Sequence, residues 1–442
     1  MDKLTLYILT FNCARNPVDI DLFAAHFFHA LPHTVTSAPD LIALSLQELA
    51  PIAYAFLGGS YLTPYFTSFR QVVDRAAARR WEDAQYVTVS EDHVGMTGLM
   101  VFARSDVAGR IASVQTAGVG LGLQQMGNKG AVGARLGWSL ESGTGTGTVP
   151  LTFVAAHLAP AEDAVERRNE DWRGIVERLV FTTTTTNHEE DSERAALLGS
   201  STGEGDREGE AEGVFTAGYL FLAGDLNYRT SNTLPQTADF ARFPQLDADE
   251  SSPLHYSRLL RDDQLTRERE KDRCFQGLTE APISFPPTYK YKLGARDPRQ
   301  WKFVHSRWPS WCDRILYLDP SAGGPATATV TPCRYDVLPL FPTSDHRAVA
   351  LAAAVVLRSV QAGPSDSESA PATDVQQPQQ QPAAPFPIDR DWKRKREEAR
   401  RKELVVGGLA YLGLTWEGRR ILVGMVIGGL GAWFVLRSML SV

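Results

Sequence analysis

The chain contains a series of short apolar runs that each end on a polar side chain. LTLYILTFN ends at Asn12, LIALSLQE at Glu48, LTFVAAH at His157, and YLFLAGDLN at Asp225 and Asn227. Because most of these runs are nearly continuous rather than alternating, we interpret them as strands buried on both faces of a sheet. Each predicted strand therefore places a polar group at its carboxyl end.

Further apolar runs predict strands at 99–103, 131–136, 314–318 and 348–357. Between the strands, the periodic stretches DIDLFAAHFFHAL and AEDAVERRNEDWRGIVERLV predict helices. Strands and helices that follow one another in this way indicate a mixed α/β layered domain over residues 1–358.

Three polar stretches fall outside this pattern. GTGTGT at 143–148 is predicted to be a loop, and residues 182–213 are predicted to be a disordered surface insertion because they are polar and low in complexity. Residues 359–392 have the Pro, Gln and Ser content of a linker. We expect neither the loop nor the insertion to carry chemistry.

The chain ends with a basic segment at 393–403 and an apolar tail at 404–442. The run ILVGMVIGGLGAWFVL alone is too short for a hydrocarbon core of roughly 30 Å, but the stretch 421–442 is long enough to cross it. We therefore expect a C-terminal membrane anchor with the basic segment against the anionic cytosolic surface, best suited to a thin membrane such as the endoplasmic reticulum. An interfacial amphipathic hairpin and a soluble tail remain open alternatives.

Composition narrows the class of protein. The 442 residues are 43% hydrophobic, which is sufficient for a large core, and the net charge of −7 argues against a broad nucleic-acid-binding face. Four scattered cysteines without a CxxC pair predict neither a zinc knuckle nor a disulfide framework. The first residues lack the apolar core and cleavage site of a secretory signal. These features predict a cytosolic, monomeric protein whose partner is a small molecule or a membrane.

The polar groups at the strand ends form a chemically coherent set. The carboxylate of Glu48 and the amide oxygen of Asn12 suit Mg²⁺, which keeps water and substrate phosphate as further ligands. Asp225 can activate or orient the attacking water, Asn227 can donate to phosphoryl oxygens, and His157 can stabilise their developing charge. The set predicts a one-metal phosphate site.

A later motif, TSDHRAV, adds the neighbours Asp345 and His346 before a predicted strand. A carboxylate beside an imidazole can orient it, so this pair is predicted to serve the same centre. Each of these polar groups alone has a purely structural interpretation, such as a buried histidine or a capped turn. Their joint occurrence at strand ends favours the catalytic interpretation.

In this order, the motifs resemble a known family. They are SLQE, GNKGAVGARL, HLAPAEDAVERRNEDW, GDLNYR, PPTYKY, WPSWCDRIL and TSDHRAV. Over residues 3–357 the chain resembles the catalytic domain of the inositol polyphosphate 5-phosphatases, within the endonuclease/exonuclease/phosphatase superfamily. GDLNYR and PSWCDRIL are the most specific of these motifs, since they distinguish the family from its nuclease, sphingomyelinase and deadenylase relatives.

The resemblance implies a DNase I-like fold, a four-layer α/β/β/α sandwich, and Mg²⁺-dependent removal of the 5-phosphate from a phosphoinositide. The implied lipid is phosphatidylinositol 4,5-bisphosphate. Glu48 and Asn12 match the family's metal site, and Asp225 matches its water-activating acid. The groups on the scissile phosphate match Asn227, His157 and His346, with Asp345 supporting His346.

The resemblance also implies how the rest of the substrate would be held. Asn128 and Lys129 would contact the 1-phosphate, and Tyr289, Lys290 and Arg307 would contact the 4-phosphate. Asp313 and Arg314 would organise the pocket floor. The chain departs from the family at Leu222, where a Trp is usual, and at His305, where a Lys is usual. The second departure weakens the implied 4-phosphate contact, because a neutral imidazole lacks the full charge of an ammonium group.

Two other functions are compatible with parts of the sequence. A nuclease of the same superfamily is disfavoured by the acidic net charge and by PSWCDRIL. A lipid-binding pseudoenzyme is disfavoured because the polar set at the strand ends is complete.

Overall fold

The computed structural model describes residues 2–32, 34–140, 147–182, 211–216, 218–319, 329–357 and 383–440. Every strand predicted above is present, and further strands complete the sheets. The strands are β1 (Lys3–Asn12), β2 (Leu41–Gln47), β3 (Tyr86–Val94), β4 (Thr97–Arg104), β5 (Ile111–Gly120), β6 (Gly130–Ser139), β7 (Thr148–His157), β8 (Tyr219–Asp225), β9 (Thr279–Glu280), β10 (Asp313–Leu318), β11 (Val330–Val337) and β12 (Val349–Val356).

The strands form two mixed sheets of six. Their orders are β11-β12-β1-β2-β4-β3 and β5-β6-β7-β8-β10-β9. In each sheet one central pair is parallel, β1 with β2 and β7 with β8, and the other pairs are antiparallel. Because parallel neighbouring strands end at the same edge of a sheet, each sheet brings the carboxyl ends of two strands together.

The helices of the described residues lie outside the two sheets, and the last two follow the final strand in the sequence. They are α1 (Ile20–His26), α2 (Ile52–Leu57), α3 (Thr63–Arg80), α4 (Val165–Arg178), α5 (Tyr256–Leu260), α6 (Gln264–Glu270), α7 (Trp392–Leu414) and α8 (Trp416–Leu440). The helix predicted over 19–31 ends at His26, because the chain then tightens into turns in which His29 bonds to His26 and Leu31 to Phe28.

Alternate residues of the central strands face different cores. In β1, Leu6 and Ile8 lie in a cluster between the two sheets, whereas Leu9 and Phe11 lie in an outer cluster with α1 and α3. A third cluster packs the outer face of the second sheet against α4, including Trp172. Three cores between four layers confirm the predicted α/β/β/α sandwich, and strands buried on both faces explain the continuous apolar runs.

The low-complexity stretches fall mostly outside the described residues. The loop at 143–148 is described only from residue 147, and the insertion at 182–213 only at its ends, where Phe181 pairs with Glu212. Of the linker at 359–392, residues 383–392 are described, and they lie on the domain: the Asp389 amide donates to the Glu177 carbonyl, and Arg173 lies over the Phe386 ring.

The C-terminal region forms two helices. α7 runs through the predicted boundary at residue 404 and packs on α2, so the basic segment and the first apolar run are one helix. α8 is 25 residues long and contains an 18-residue window with a mean hydropathy of 1.8, and that window is unburied. By length and composition α8 can cross a membrane.

Candidate active site

The fold brings the polar strand ends to one place. In the parallel pairs, Asn12 lies opposite Gln47, directly before Glu48, and His157 lies opposite Asp225. The antiparallel strand β10 begins opposite Asp225 with Asp313. Both sheets therefore contribute to a single cleft of about 520 Å³.

Most of the predicted site residues line this cleft. They are Asn12, Glu48, Lys129, His157, Asp225, Asn227, Tyr289, Lys290, Asp345 and His346.

Asp225 is the centre of the arrangement. Its Oδ2 accepts a hydrogen bond from Asn12 Nδ2 at 2.9 Å and lies 3.3 Å from His157 Nε2 and 3.9 Å from His346 Nε2. Burial opposes its ionisation, but the two histidines outweigh that effect and hold the pKa of Asp225 well below its usual range. The carboxylate is therefore ionised at neutral pH and acts as an acceptor.

His157 and Lys129 lie side by side in the cleft, with Lys129 Nζ in hydrogen-bond contact with His157 Nε2. Burial lowers the pKa of His157, and the neighbouring ammonium group lowers it further. Burial also lowers the pKa of Lys129, against the attraction of Asp225. A neutral imidazole beside a buried cation is suited to an anionic ligand.

His346 is oriented by Asp313, which is a correction to the predicted pairing with Asp345. His346 Nδ1 bonds to Asp313 Oδ2 at 2.9 Å, and Thr288 Oγ1 donates to the same oxygen. Although burial opposes the charged form, Asp313 and Asp225 raise the pKa of His346 to about 9. The pairing with Asp345 is wrong because consecutive side chains here diverge, whereas β10 presents Asp313 directly to the imidazole.

Asp345 instead pairs with Lys290 at the rim of the cleft, where Lys290 Nζ donates to Asp345 Oδ2 at 2.6 Å. Burial works against both charges, but Asp345 raises the pKa of Lys290, and the charge of His346 together with the Lys290 contact lowers the pKa of Asp345. Tyr289, one residue earlier, packs its ring against the His346 imidazole at 4.4 Å between centroids. This rim offers one half-exposed cation to a ligand.

Glu48 and Asn12 provide the donors that suit a hard cation. Glu48 has a positive φ of 46°, which turns its carboxylate from the end of β2 into the cleft, where Arg15 Nε approaches it at 3.1 Å. Asn12 holds Asp225 through its amide nitrogen, while its Oδ1 accepts from the Ala14 amide. Carboxylate and carboxamide oxygens fit Mg²⁺ or Ca²⁺.

A second set of potential ligand atoms lies deeper, in Asp225, Asp313 and His346, all within 4.8 Å of one another. Two of these residues already hydrogen-bond each other through Asp313 Oδ2 and His346 Nδ1. That set is therefore better explained as an acid–imidazole–acid chain than as a cation site.

The GDLNYR turn holds a residue whose role the sequence did not reveal. Asn227 has a positive φ of 58°, and its Oδ1 accepts from Arg229 Nη2 at 2.5 Å. Arg229 is buried, lines the cleft and lies over the Tyr289 ring at 4.5 Å. Its place as the last residue of the motif was the available signal, but an arginine in a turn is usually a solvated charge. Arg15 was missed for the same reason.

Three predicted residues lie away from the cleft. Arg314 points to the opposite face of β10 from Asp313 and forms ion pairs with Asp263 and Glu280, because alternate residues of a strand face opposite sides. Its predicted place in the pocket floor is wrong. Asn128 packs within its own loop, where a Cβ on Gly122 would lie 2.0 Å from its Oδ1.

Arg307 also lies outside the cleft lining, where its Nε is 3.6 Å from Glu162 Oε1. His305, the unusual residue two positions earlier, stacks on Phe240 with centroids 4.1 Å apart. Neither side chain is presented to the cleft, which leaves Lys290 as the rim cation among those predicted for the 4-phosphate.

A profile of the Endonuclease/Exonuclease/phosphatase family 2 matches residues 9–352. The chain belongs to this family. The match covers all of the strand ends that form the cleft and stops before α7.

Curated relatives that the chain matches include 5-phosphatases, which confirms the predicted membership. The human phosphatidylinositol 3,4,5-trisphosphate 5-phosphatase 2 is 31% identical over 252 residues, 55% of this chain and 17% of that protein. The Arabidopsis thaliana type II inositol polyphosphate 5-phosphatase 15 is 32% identical over 293 residues, 61% of this chain and 24% of that protein. The chain thus matches less than a quarter of the length of these relatives.

Among solved structures, this family member is similar to the inositol polyphosphate 5-phosphatase domain of a synaptojanin, crystallised with inositol (1,4)-bisphosphate and calcium. The TM-score is 0.56 at 23% identity, covering 80% of this chain and 84% of that one. The similarity supports the four-layer fold.

Proposed function

We propose that this protein is a Mg²⁺-dependent phosphatase that removes the 5-phosphate from phosphoinositides, with phosphatidylinositol 4,5-bisphosphate as the principal substrate. The observation that carries the proposal is the convergence on Asp225 of Asn12, His157 and His346, at 2.9, 3.3 and 3.9 Å, inside an open cleft. An ionised carboxylate that accepts from Asn12 and is flanked by two imidazoles, at the meeting point of two sheets, is suited to hold a water against a phosphorus atom.

The side chains divide the work of phosphate hydrolysis. Asp225 accepts a hydrogen bond from the attacking water and orients it, since its low pKa makes it a better acceptor than a base. His346, charged and fixed by Asp313, stabilises negative charge on the phosphoryl oxygens. Lys129, which the resemblance assigned to the 1-phosphate, lies against His157 and is proposed here to add a second positive charge at the scissile phosphate. Asp313 and Asn12 hold the geometry.

The metal would be held by Glu48 and Asn12. A bound Mg²⁺ supplies Lewis-acid stabilisation of the phosphate charge. The fit rests on the donor chemistry of a carboxylate turned into the cleft beside a carboxamide, two oxygen-bearing groups of the kind Mg²⁺ takes.

The choice of substrate is proposed from the relatives and from one contact at the rim of the cleft. The human relative is named for phosphatidylinositol 3,4,5-trisphosphate, the Arabidopsis relative for inositol polyphosphates, and the synaptojanin domain was crystallised with inositol (1,4)-bisphosphate. In this chain one rim cation, Lys290, is placed to meet a 4-phosphate, and its carboxylate partner Asp345 fixes its direction. This contact supports a substrate with a 4-phosphate, a group that the 4,5-bisphosphate shares with the 3,4,5-trisphosphate, and the substrate panel separates the two.

A substrate panel tests the proposal. Full-length protein in detergent is assayed for phosphate release from three lipids: phosphatidylinositol 4,5-bisphosphate, phosphatidylinositol 3,4,5-trisphosphate and a phosphoinositide that carries a 5-phosphate but no 4-phosphate. Each assay is run with Mg²⁺ and with a chelator. We expect Mg²⁺-dependent release that is fastest with the 4,5-bisphosphate. Cleavage of a labelled oligonucleotide without release from any inositol lipid would instead identify a nuclease of the same superfamily.

We further propose that α8 anchors the protein in a membrane, with the catalytic domain on the cytosolic face and the endoplasmic reticulum as the host. Its 25 residues span about 37 Å, more than the roughly 30 Å hydrocarbon core. The exposed apolar side chains of α7, among them Val405 and Leu409, continue this surface toward the domain. They would lie at the membrane interface next to the span.

Alkaline extraction separates a span from an interfacial hairpin. Full-length protein should stay with carbonate-washed membranes, and a chain ending at Thr415 should be soluble. Full-length protein that washes off would contradict the span and favour a hairpin formed by α7 and α8.

A further inference from the structure

A carboxylate in the C-terminal helix reaches the loop that carries Lys129. Glu403, on α7, is fully buried, and its Oε1 accepts a hydrogen bond from the Gly127 amide at 2.8 Å. Arg396 and Arg400 pair with the two carboxylate oxygens at 3.2 and 3.3 Å. A buried carboxylate with three donors is a fixed contact, because leaving one of these charges unpaired is costly.

Gly127 is the point at which the loop between β5 and β6 is held from outside. Its carbonyl accepts from the Met96 amide at 2.9 Å, and a Cβ on Gly95 would lie 2.2 Å from the same carbonyl oxygen. Within the loop, the Leu121 amide donates to the Lys129 carbonyl at 2.8 Å. Gly127 is therefore clamped between the turn at Gly95 and Glu403, two residues before Lys129.

The chain continues directly from this clamp into the cleft. Gly130 begins β6 and pairs with His157, so the direction of the chain at residues 127–130 decides where Lys129 Nζ meets the imidazole. A loop that can shift at Gly127 would deliver the ammonium group less accurately.

The position of Glu403 is itself set by the packing of α7 on α2. Arg400 donates to the carbonyls of Phe56 and Leu57 at 2.6 and 3.1 Å, which caps the carboxyl end of α2 with a cation. Gly407 allows close approach, because a Cβ there would lie 2.9 Å from Phe56 Cβ. α7 is thus packed on the domain at two points that flank Glu403.

We propose that Glu403 is a positioning residue for Lys129, so that α7 is required for full turnover even of a soluble substrate. The inference rests on the proposed function, since it assigns Lys129 to the phosphate site. α7 lies beyond residue 352, where the family match ends, so this support is a feature of the chain's own C-terminal region.

The test compares three variants of the full-length protein in detergent on a soluble inositol polyphosphate, so that access to a membrane plays no part. Glu403→Ala removes the acceptor for Gly127, whereas Glu403→Gln keeps an oxygen there. Glu398→Ala is the matched control, because Glu398 is exposed on the same helix and pairs with Arg394. Hydrogen exchange of peptides covering residues 121–130 and thermal unfolding are measured for each.

We expect Glu403→Ala to lower kcat/KM roughly tenfold per folded molecule, since a misplacement of about an ångström costs up to about a hundredfold. The kcat/KM of Glu403→Gln should stay within about threefold of wild type, and that of Glu398→Ala should equal wild type. Exchange in 121–130 should rise only in Glu403→Ala. Wild-type kcat/KM, unchanged loop exchange, or a loss that merely follows the folded fraction would each overturn the proposal. A wild type that is inactive on the soluble substrate and also on phosphatidylinositol 4,5-bisphosphate in the same detergent would refute the proposed function alone, and loop exchange would still decide whether Glu403 holds the loop.

Discussion

His346 shows how the site uses burial and charge at the scale of a single residue. A histidine in this position without carboxylates would be neutral, because burial disfavours the imidazolium ion. Asp313 and Asp225 reverse that preference and raise the pKa of His346 to about 9. The positive charge offered to a phosphate is therefore created by the two acids around it.

This arrangement predicts how stability depends on pH in metal-free protein. A folded-state pKa raised from 6.5 to about 9 means that the charged histidine stabilises the fold fully below pH 6.5 and loses that contribution as pH rises toward 9. In chelator, the free energy of unfolding of wild type should fall over this interval more than that of His346→Gln. The exposed His305→Gln is the control and should follow wild type. Equal slopes for wild type and His346→Gln would contradict the raised pKa.

Lys290 allows a test of substrate recognition. Lys290→Ala should reduce kcat/KM on phosphatidylinositol 4,5-bisphosphate by about tenfold or more, relative to its effect on a phosphoinositide with a 5-phosphate but no 4-phosphate. The reason is that a charge-assisted contact contributes about 1.5 to 3 kcal/mol. Lys292→Ala, an exposed neighbour, should change neither rate. Equal losses on both substrates would assign Lys290 to the fold or to the scissile phosphate.

Residues placed by their own strand could be predicted from the sequence, whereas residues placed by a tertiary contact could not. Strand ends that meet at one edge made the convergence of Asn12, His157 and Asp225 predictable from the apolar runs. The partner of His346 was not predictable, because sequence proximity favoured Asp345 whereas the tertiary contact comes from Asp313.

At the scale of the elements, the prediction succeeded where strands are central and missed strands at the edges. β3, β5 and β11 each end a sheet and have one exposed face, so their sequences mix polar and apolar residues. A search for continuous apolar runs does not detect that pattern. The helix α7 was divided in two by composition, because a docked helix with a basic half and an apolar half resembles two segments.

The α2–α7 contact can be tested with two adjacent glycines. Gly407→Leu places a side chain against Phe56, and overpacking of this kind costs about 1 to 3 kcal/mol. Gly408→Leu meets nothing within 4 Å. We expect faster proteolysis of α7 and a lower melting temperature only in Gly407→Leu. Identical behaviour of the two variants would show that α7 does not dock on α2.

At the scale of the whole molecule, the C-terminal region is two parts with different consequences. α7 belongs to the catalytic domain by its contacts, whereas the apolar stretch of α8 contacts no other part of the described chain through a buried surface. The sequence alone predicted a tail that decides location and access to substrate without taking part in chemistry, because composition does not reveal that a basic helix contains a buried acid.

Truncation distinguishes the two parts. A chain ending at Thr415 should leave the membrane and keep turnover of a soluble inositol polyphosphate. A chain ending at Leu357 should also lose about tenfold in kcat/KM, because Glu403 is gone. Equal turnover by the two chains would show that α7 is a passive tether.

The most direct test of the central claim is the product formed from phosphatidylinositol 4,5-bisphosphate with Mg²⁺ by wild type and by Asp225→Asn, with the folded state of both verified. The account predicts phosphatidylinositol 4-phosphate and inorganic phosphate from wild type, and a rate lower by about 10²- to 10⁴-fold from Asp225→Asn. Near-normal turnover by Asp225→Asn, or removal of the 4-phosphate by wild type, would contradict it.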